Sequence, residues 1–471
     1  MTSSTRILRA AWVAPISEPP IAQGEVLIEG DRIITVRPAT NEADHNVEDF
    51  GDAILLPGLV NVHTHLDYTI MRGLLEDLDF FPWIREITAR AATLTPADWL
   101  ASATWGAAEA VAGGVTAIGD CTFSGAAFAA ARDFGLSGNI YQEVFGIDEL
   151  RPVEEIVAEL DARVEQMTAQ CAGTQLNAGI SPHAPYTVRP ALFRALAAYA
   201  DAGNLPVCIH AAESQAEAEL LRSGTGPFAE MYSRRGIQWQ APASSTVAYL
   251  DSLGILNART LLVHGVQVSA SDRAIICRRG VAWAHCPKSN AKLGVGIAPL
   301  GILREPQGAI DILPEPMSGG RIGLGSDSVA SNNTMDMFEE MRFAVLLQRA
   351  ARHRIAAFGA REAVEMATIG GARALGMESE IGTLQPGKRA DLCVVRLGDL
   401  HSTPAYHPYS ALVYAARASD VICTFLAGAP RYDARRGPNM EDRFPVNDLA
   451  PTREQLREAA RKMREWRLPT S

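Results

Sequence analysis

The sequence predicts an α/β chain: a distorted (β/α)8 TIM barrel flanked by a β-sandwich that the N- and C-terminal segments build together. Three observations predict it. From Leu59 onward, short apolar runs alternate with long helical stretches, the pattern of a parallel sheet with crossover helices. Ligand-type residues close four of those runs: His63-Thr64-His65, His210-Ala211-Ala212-Glu213, His264 and Asp327. A (β/α)8 barrel offers its active-site face at the C-terminal ends of its strands. Before residue 58 and after Gly382 the chain reads as β structure instead.

Taken in order, Glu25–Glu29 and Arg32–Val36 around Gly30-Asp31 form a hairpin. The eight barrel strands fall at 59–62, 115–120, 138–144, 176–181, 205–210, 260–264, 281–285 and 321–326. Thr95-Pro96-Ala97-Asp98 starts a helix, with Thr as the N-cap and Pro at the first helical position. Helices at 334–352 and 360–375 follow the eighth strand, and strands at 390–395 and 421–426 return to the sandwich. The expected division is 1–58 for the first part of the sandwich, 59–380 for the catalytic barrel, 381–450 for the second part and 451–471 for a C-terminal helix. A Pro/Gly-rich stretch, 304–320, reads as a lid over the pocket or a surface insertion.

Composition narrows the function. The 471 residues, 47% hydrophobic, suffice for one large barrel and an accessory unit. A net charge of -11 argues against a nucleic-acid surface. No apolar run approaches the roughly 18–20 residues of a membrane span. The N-terminal pattern, interrupted by Pro15, Pro19 and Pro20, is not a signal-peptide core. Seven scattered Cys without a CxxC pair suit free thiols in a cytoplasmic protein. Of the ten His, six (His63, His65, His183, His210, His264, His285) sit at the ends of predicted strands.

That concentration points to a metal. Two His at i and i+2 on a strand point the same way, so His63 and His65 can meet one ion. Three imidazoles and the Asp327 carboxylate suit Zn2+ or Fe2+, with a position left open for water. A divalent ion lowers the pKa of such a water to about 7. Asp327 can both ligate and accept the water proton, and Glu213, three residues after His210, can shuttle a proton to substrate and leaving group. His264 fits either a ligand or an orienter of the hydroxide.

These elements resemble the amidohydrolase superfamily. The likeness rests on Leu56-Pro57-Gly58-Leu59-Val60-Asn61-Val62-His63-Thr64-His65, His210-Ala211-Ala212-Glu213, Val263-His264-Gly265, His285-Cys286-Pro287-Lys288-Ser289-Asn290, Gly325-Ser326-Asp327-Ser328 and Gly382–Leu392. It is strongest to the aminohydrolase branch, which includes adenosylhomocysteine/methylthioadenosine, aminodeoxyfutalosine and guanine deaminases and triazine hydrolases. The resemblance implies metal ligands at His63, His65, His210 and Asp327, and proton-transfer and water-orienting groups at Glu213, His264 and Asp327. It implies one divalent ion, Zn2+ ahead of Fe2+, because the bridging Lys of binuclear relatives has no counterpart before Lys288. Trp83, His183, His285, Ser289 and Asn290 match or lie near substrate-contacting positions. Ala92 stands where adenosyl-type deaminases carry an acid that grips the ribose, whereas Asn139–Gly146 looks like the aminodeoxyfutalosine group. The expected reaction is release of ammonia from an amino-substituted N-heterocycle, an adenine nucleoside derivative first, with aminodeoxyfutalosine ahead of adenosylhomocysteine. A triazine-type chlorohydrolase or aminohydrolase, or a deaminase of another nucleobase such as guanine, is the alternative, and a catalytically silent scaffold the remote one. A small-molecule substrate, no nucleic acid or membrane partner, and a homo-oligomer (dimer or tetramer) complete the expectation.

Overall fold

The computed structural model describes residues 5–40, 46–78, 80–148, 150–300, 320–355, 358–445 and 448–465. Apart from Gly320, the stretch 304–320, expected as a lid or a surface insertion, lies outside them.

The chain begins with β1 (Thr5–Val13), β2 (Ile21–Glu29), β3 (Arg32–Pro38), β4 (Val47–Asp49) and β5 (Ala53–Pro57). It ends with β14 (Leu392–Arg396), β15 (Val421–Leu426), β16 (Ala429–Asp433) and a helix, Ala450–Glu465. These eight strands form one mixed sheet in the order β16-β15-β14-β5-β1-β2-β3, with β4 beside β1. The β3 edge folds back on the sheet, where Arg32 bridges antiparallel to Arg389 just ahead of β14. Leu8, Val26, Ile33, Leu55, Val394 and Phe425 then share one buried cluster. The predicted hairpin is β2–β3, with Gly30 at φ +60 in its turn.

Between these ends lies the barrel: β6 (Leu59–Thr64), β7 (Val115–Thr122), β8 (Ser137–Val144), β9 (Leu176–Pro182), β10 (Val207–Ala211), β11 (Thr260–His264), β12 (Ala282–His285) and β13 (Ile322–Leu324). Each strand lies beside the next in chain order, and all pairs are parallel. The ring closes where the Asp327 N–H donates to the His63 carbonyl at 2.9 Å. Val62, Cys121, Tyr141, Cys208, Val263 and Ala284, from six strands, touch inside the ring. Ile118, Ile140, Ile180, Ile209 and Leu262 belong to the outer cluster, beneath the helices. Burial on both faces explains why these strands read as continuous apolar runs.

The predicted helix 360–375 is two helices, Ala360–Met366 and Ile369–Leu375. The break at Thr368 (φ -133, ψ -100) lets the second helix turn in against the barrel's interior residues. Close packing there requires glycine: a Cβ on Gly371 would lie 2.8 Å from the Val60 Cβ. Gly371→Ala is expected to destabilise the fold by about 1–3 kcal/mol, the usual cost of overpacking. A urea or thermal midpoint unchanged from wild type would refute that close fit.

Thr95 caps the helix Pro96–Ala112 in a reciprocal box with Asp98, as its sequence predicts. Gln455 of the C-terminal helix donates to Asp98 Oδ1 at 2.6 Å, and Ala459 and Met463 bury against Ile87 and Trp99. The chain's last helix thereby braces the helix Phe80–Ala91, which carries Trp83. Among the described residues, no helix is long and apolar enough to cross a membrane.

Candidate active site

Three strand ends leave ordinary backbone geometry at the site. Ala212, His264 and Asp327 sit at φ +53, +70 and +60. Such left-handed conformations cost on the order of 1–3 kcal/mol each in non-glycine residues and cluster at functional sites. The effect is clearest at His264. Period two along β11 would send it outward with Leu262, but the positive φ swings it back over the barrel mouth. Gly265 follows because a Cβ there would lie 2.4 Å from the Trp283 ring, whose indole N–H donates to the His264 carbonyl at 3.1 Å.

The expected donors converge. His63 Nε2 lies 3.3 Å from Asp327 Oδ1, and His65 Nε2 lies 3.6 Å from the same oxygen. His210 Nε2 is 3.3 Å from His65 Nε2. The His210 Nδ1–H must donate to the His183 carbonyl 3.0 Å away, so His210 Nε2 carries a lone pair. Ser289 and Ser331 donate to Asp327 Oδ2 at 2.6 and 3.0 Å, which leaves Oδ1 to face the histidines. His63 Nε2 is buried without a hydrogen-bond partner. Donor atoms of His63, His210, His264 and Asp327 all lie within 4.8 Å of one another, with His65 approaching beside His210.

Electrostatics favour a cation at this point. Burial, and then the neighbouring imidazoles, push His65 and His183 down to about 3 and His210 well below its usual range. All three therefore offer lone pairs at neutral pH. Burial opposes charge on His63 too, yet the adjacent Asp327 pushes it up to about 10. Burial works to raise Asp327, but the His63 imidazole 3.3 Å away holds it well below the carboxylate range. A field that draws a proton onto a buried imidazole also draws a metal ion. The residues fit a divalent metal with nitrogen and oxygen donors.

Glu213 differs from Asp327. Burial raises its pKa, and its Oε1 lies 3.8 Å from His264 Nε2. Asn290 Oδ1 accepts from His264 Nδ1–H at 3.0 Å, so the lone pair of Nε2 faces Glu213. The Glu217 carboxylate accepts the backbone N–H groups of Ala212 and Glu213 at 2.8 and 3.0 Å and fixes the turn that presents Glu213.

These groups floor a cavity of about 1310 Å³. Trp83 and His183 line it, as expected of substrate contacts, and Ala92 lies on its wall. His285, Ser289 and Asn290 do not. His285 is 1% exposed, its two ring nitrogens without partners, and the helix Pro287–Lys292 begins two residues after it. Ser289 and Asn290 instead brace Asp327 and His264 from behind. Arg72 is held by Glu109 and the Asn333 carbonyl, and Arg222 is not at the cavity; Arg85, Arg234 and Arg235 are. Sequence reasoning missed Ser331 and Glu217. Each sits four residues after a group it serves, a helical spacing that the motifs around Asp327 and Glu213 could have revealed.

The amidohydrolase family model matches residues 54–430. A 5-methylthioadenosine/S-adenosylhomocysteine deaminase of Desulforudis audaxviator is 32% identical over 460 residues, 96% of this chain and 99% of its own. A 5'-deoxyadenosine deaminase of Methanothermobacter thermautotrophicus is 33% identical over 406 residues, covering 85% of this chain and 87% of its own. The zinc-bound crystal structure of an adenosine deaminase from Xanthomonas campestris superposes with a TM-score of 0.80 at 28% identity, covering 97% of this chain and 98% of that one. The barrel, the donor set at its mouth and these matches agree: this chain belongs to the amidohydrolase family.

Proposed function

We propose that the chain is a hydrolytic deaminase holding one divalent ion, Zn2+ ahead of Fe2+, that releases ammonia from an adenine nucleoside modified at its 5′ position. One observation carries the reading. Two buried carboxylates beside the donor set have opposed proton affinities, Asp327 held low and Glu213 raised. Paired groups pushed apart in this way divide acid and base roles.

His63, His65, His210 and Asp327 would hold the ion, with His264 as a fifth donor or as the residue that orients water. When bound, the ion supplies a water acidic enough to attack at neutral pH. Asp327 Oδ1, ionised, accepts the water proton. Glu213 delivers its proton to the ring nitrogen beside the amino-bearing carbon, then takes up the proton of the added hydroxyl and passes it to the amine as the C–N bond breaks; the proton held by Asp327 then restores Glu213. Ser289, Ser331, Asn290 and Glu217 position these groups. Trp83 and His183 would hold the ring. Lys288 Nζ donates to Thr334 Oγ1 at 2.7 Å and pairs with Glu339, so it bridges no second ion, in keeping with one metal. All seven cysteines are free, which supports a cytoplasmic location. A homodimer or tetramer is the expected assembly, with residues 59–380 as the catalytic unit.

The names of the relatives favour methylthioadenosine, adenosylhomocysteine and 5′-deoxyadenosine. Ala92 on the cavity wall favours a substrate gripped by its 5′ arm, as aminodeoxyfutalosine would be. Ammonia release should be measured for these four nucleosides, guanine and a chlorotriazine, on enzyme purified without chelator and analysed for metal. One equivalent of zinc and the highest kcat/KM on a 5′-modified adenosine are expected. Two equivalents at full activity would refute the single ion, and chloride release from the triazine without ammonia from any nucleoside would refute the deaminase.

A further inference from the structure

Glu143 stands at the C-terminal end of β8, paired in register with Ser181 of β9. It lines the cavity, its side chain is 1% exposed, and the mechanism above gives it no role. Its neighbour Gln142 points the other way and donates from Nε2 to the carbonyls of Thr122 and Phe123 at 3.2 and 3.1 Å, which pins the strand end. Glu143 therefore faces inward from a rigid position. Its Oε2 is buried without a hydrogen-bond partner. So is Nδ1 of His65, and Glu143 Oε1 lies 4.0 Å from that nitrogen.

A buried carboxylate with an unsatisfied oxygen beside an unsatisfied ring nitrogen is rare in folded proteins. One is a pure acceptor when ionised, and the other becomes a donor whenever the far side of its ring binds a metal. Metal-bound histidines generally donate their second ring N–H to a carboxylate or carbonyl, which fixes the tautomer and the ring plane. His210 already has such a partner in the His183 carbonyl, and His264 has one in Asn290. His65 has none nearer than Glu143. Tyr68 stacks on the His65 ring with centroids 5.5 Å apart, so it limits tilt of the ring without satisfying Nδ1.

We propose that Glu143 is the positioning residue for His65: its carboxylate accepts the Nδ1–H and turns Nε2 toward the ion shared with His63, His210 and Asp327. The proposal rests on the metal-dependent reading above. The 4.0 Å gap closes by about 1 Å to reach a hydrogen bond when His65 takes up its ligand role.

The test uses the full chain, demetallated and titrated with zinc against a chromophoric chelator, and in parallel the cobalt(II) absorption spectrum. Glu143→Leu removes the acceptor while keeping an apolar side chain in the buried position. Its zinc Kd should weaken about 10–100-fold, the usual cost of losing such a partner, and its cobalt bands should shift. Glu143→Gln keeps an acceptor oxygen and should bind zinc within about threefold of wild type. Were the Leu variant not to fold, the Gln variant alone would decide, since a loss of tenfold or more there overturns an acceptor role. Unchanged zinc affinity and cobalt spectrum in Glu143→Leu overturn the proposal, including the case in which only KM rises, which would reassign Glu143 to gripping substrate. Wild type that binds no zinc would instead refute the metal-dependent reading itself.

Discussion

His65→Ala is expected to abolish metal binding, with zinc falling from one equivalent to near none and ammonia release to background. His65 is 5% exposed, and its Nε2 lies within 3.6 Å of Asp327 Oδ1 and 3.3 Å of His210 Nε2. Alanine leaves a void too apolar to recruit a replacement donor. Loss of the ion also leaves the buried Asp327 charge less compensated, and an uncompensated buried charge costs about 3–5 kcal/mol when its partner is removed. Elemental analysis of protein purified without chelator checks the first point, and thermal unfolding the second. The geometry makes the experiment sharper when His264→Ala is run alongside. Because His63, His210, His264 and Asp327 already form a compact quartet, a His65→Ala protein that keeps a full equivalent of zinc while His264→Ala loses it would transfer the ligand role to His264.

What the sequence could and could not show follows from the range of the interactions involved. Barrel strands such as Thr260–His264 are legible because both faces are buried, so that apolar runs stand out between helical stretches. Donors are legible because the fold places them at strand ends. The eighth strand ends earlier than its apolar pattern suggests, at Leu324 instead of 326. Asn61 explains this: its Oδ1 accepts the Ser326 N–H at 3.0 Å and its Nδ2 donates to Ser326 Oγ at 2.8 Å. A side chain 265 residues away thus replaces a ladder bond, and no local pattern records it. Ser289 and Asn290 were equally opaque. As neighbours of His285 they suggest a pocket wall, but the helix that starts at Pro287 directs one hydroxyl to Asp327 and one amide to His264. The Glu143–His65 pair, from separate strands of the barrel, is visible only when the ring closes. Chemistry-bearing residues were legible one by one; the contacts that orient them were not.

Glu213→Gln separates proton transfer from metal binding. Glutamine is nearly isosteric, and the backbone N–H of residue 213 keeps its bond to Glu217, so the turn that presents the side chain should survive. No metal ligand is touched, and zinc should remain at one equivalent. What disappears is a titratable group whose proton affinity burial has raised, 3.8 Å from His264 Nε2. An amide can accept a hydrogen bond from the substrate but cannot carry a proton between water, ring nitrogen and leaving amine. The expected loss in kcat is on the order of 10²–10⁴, the range of positioned acid–base catalysis. At about 1.4 kcal/mol per decade, that corresponds to roughly 3–5 kcal/mol of transition-state stabilisation. Because the loss falls on the chemical step, KM for the preferred nucleoside should change much less than kcat. Near-normal deamination by a zinc-replete Glu213→Gln protein would show that the proton travels by another route, with the buried Asp327 left to carry it.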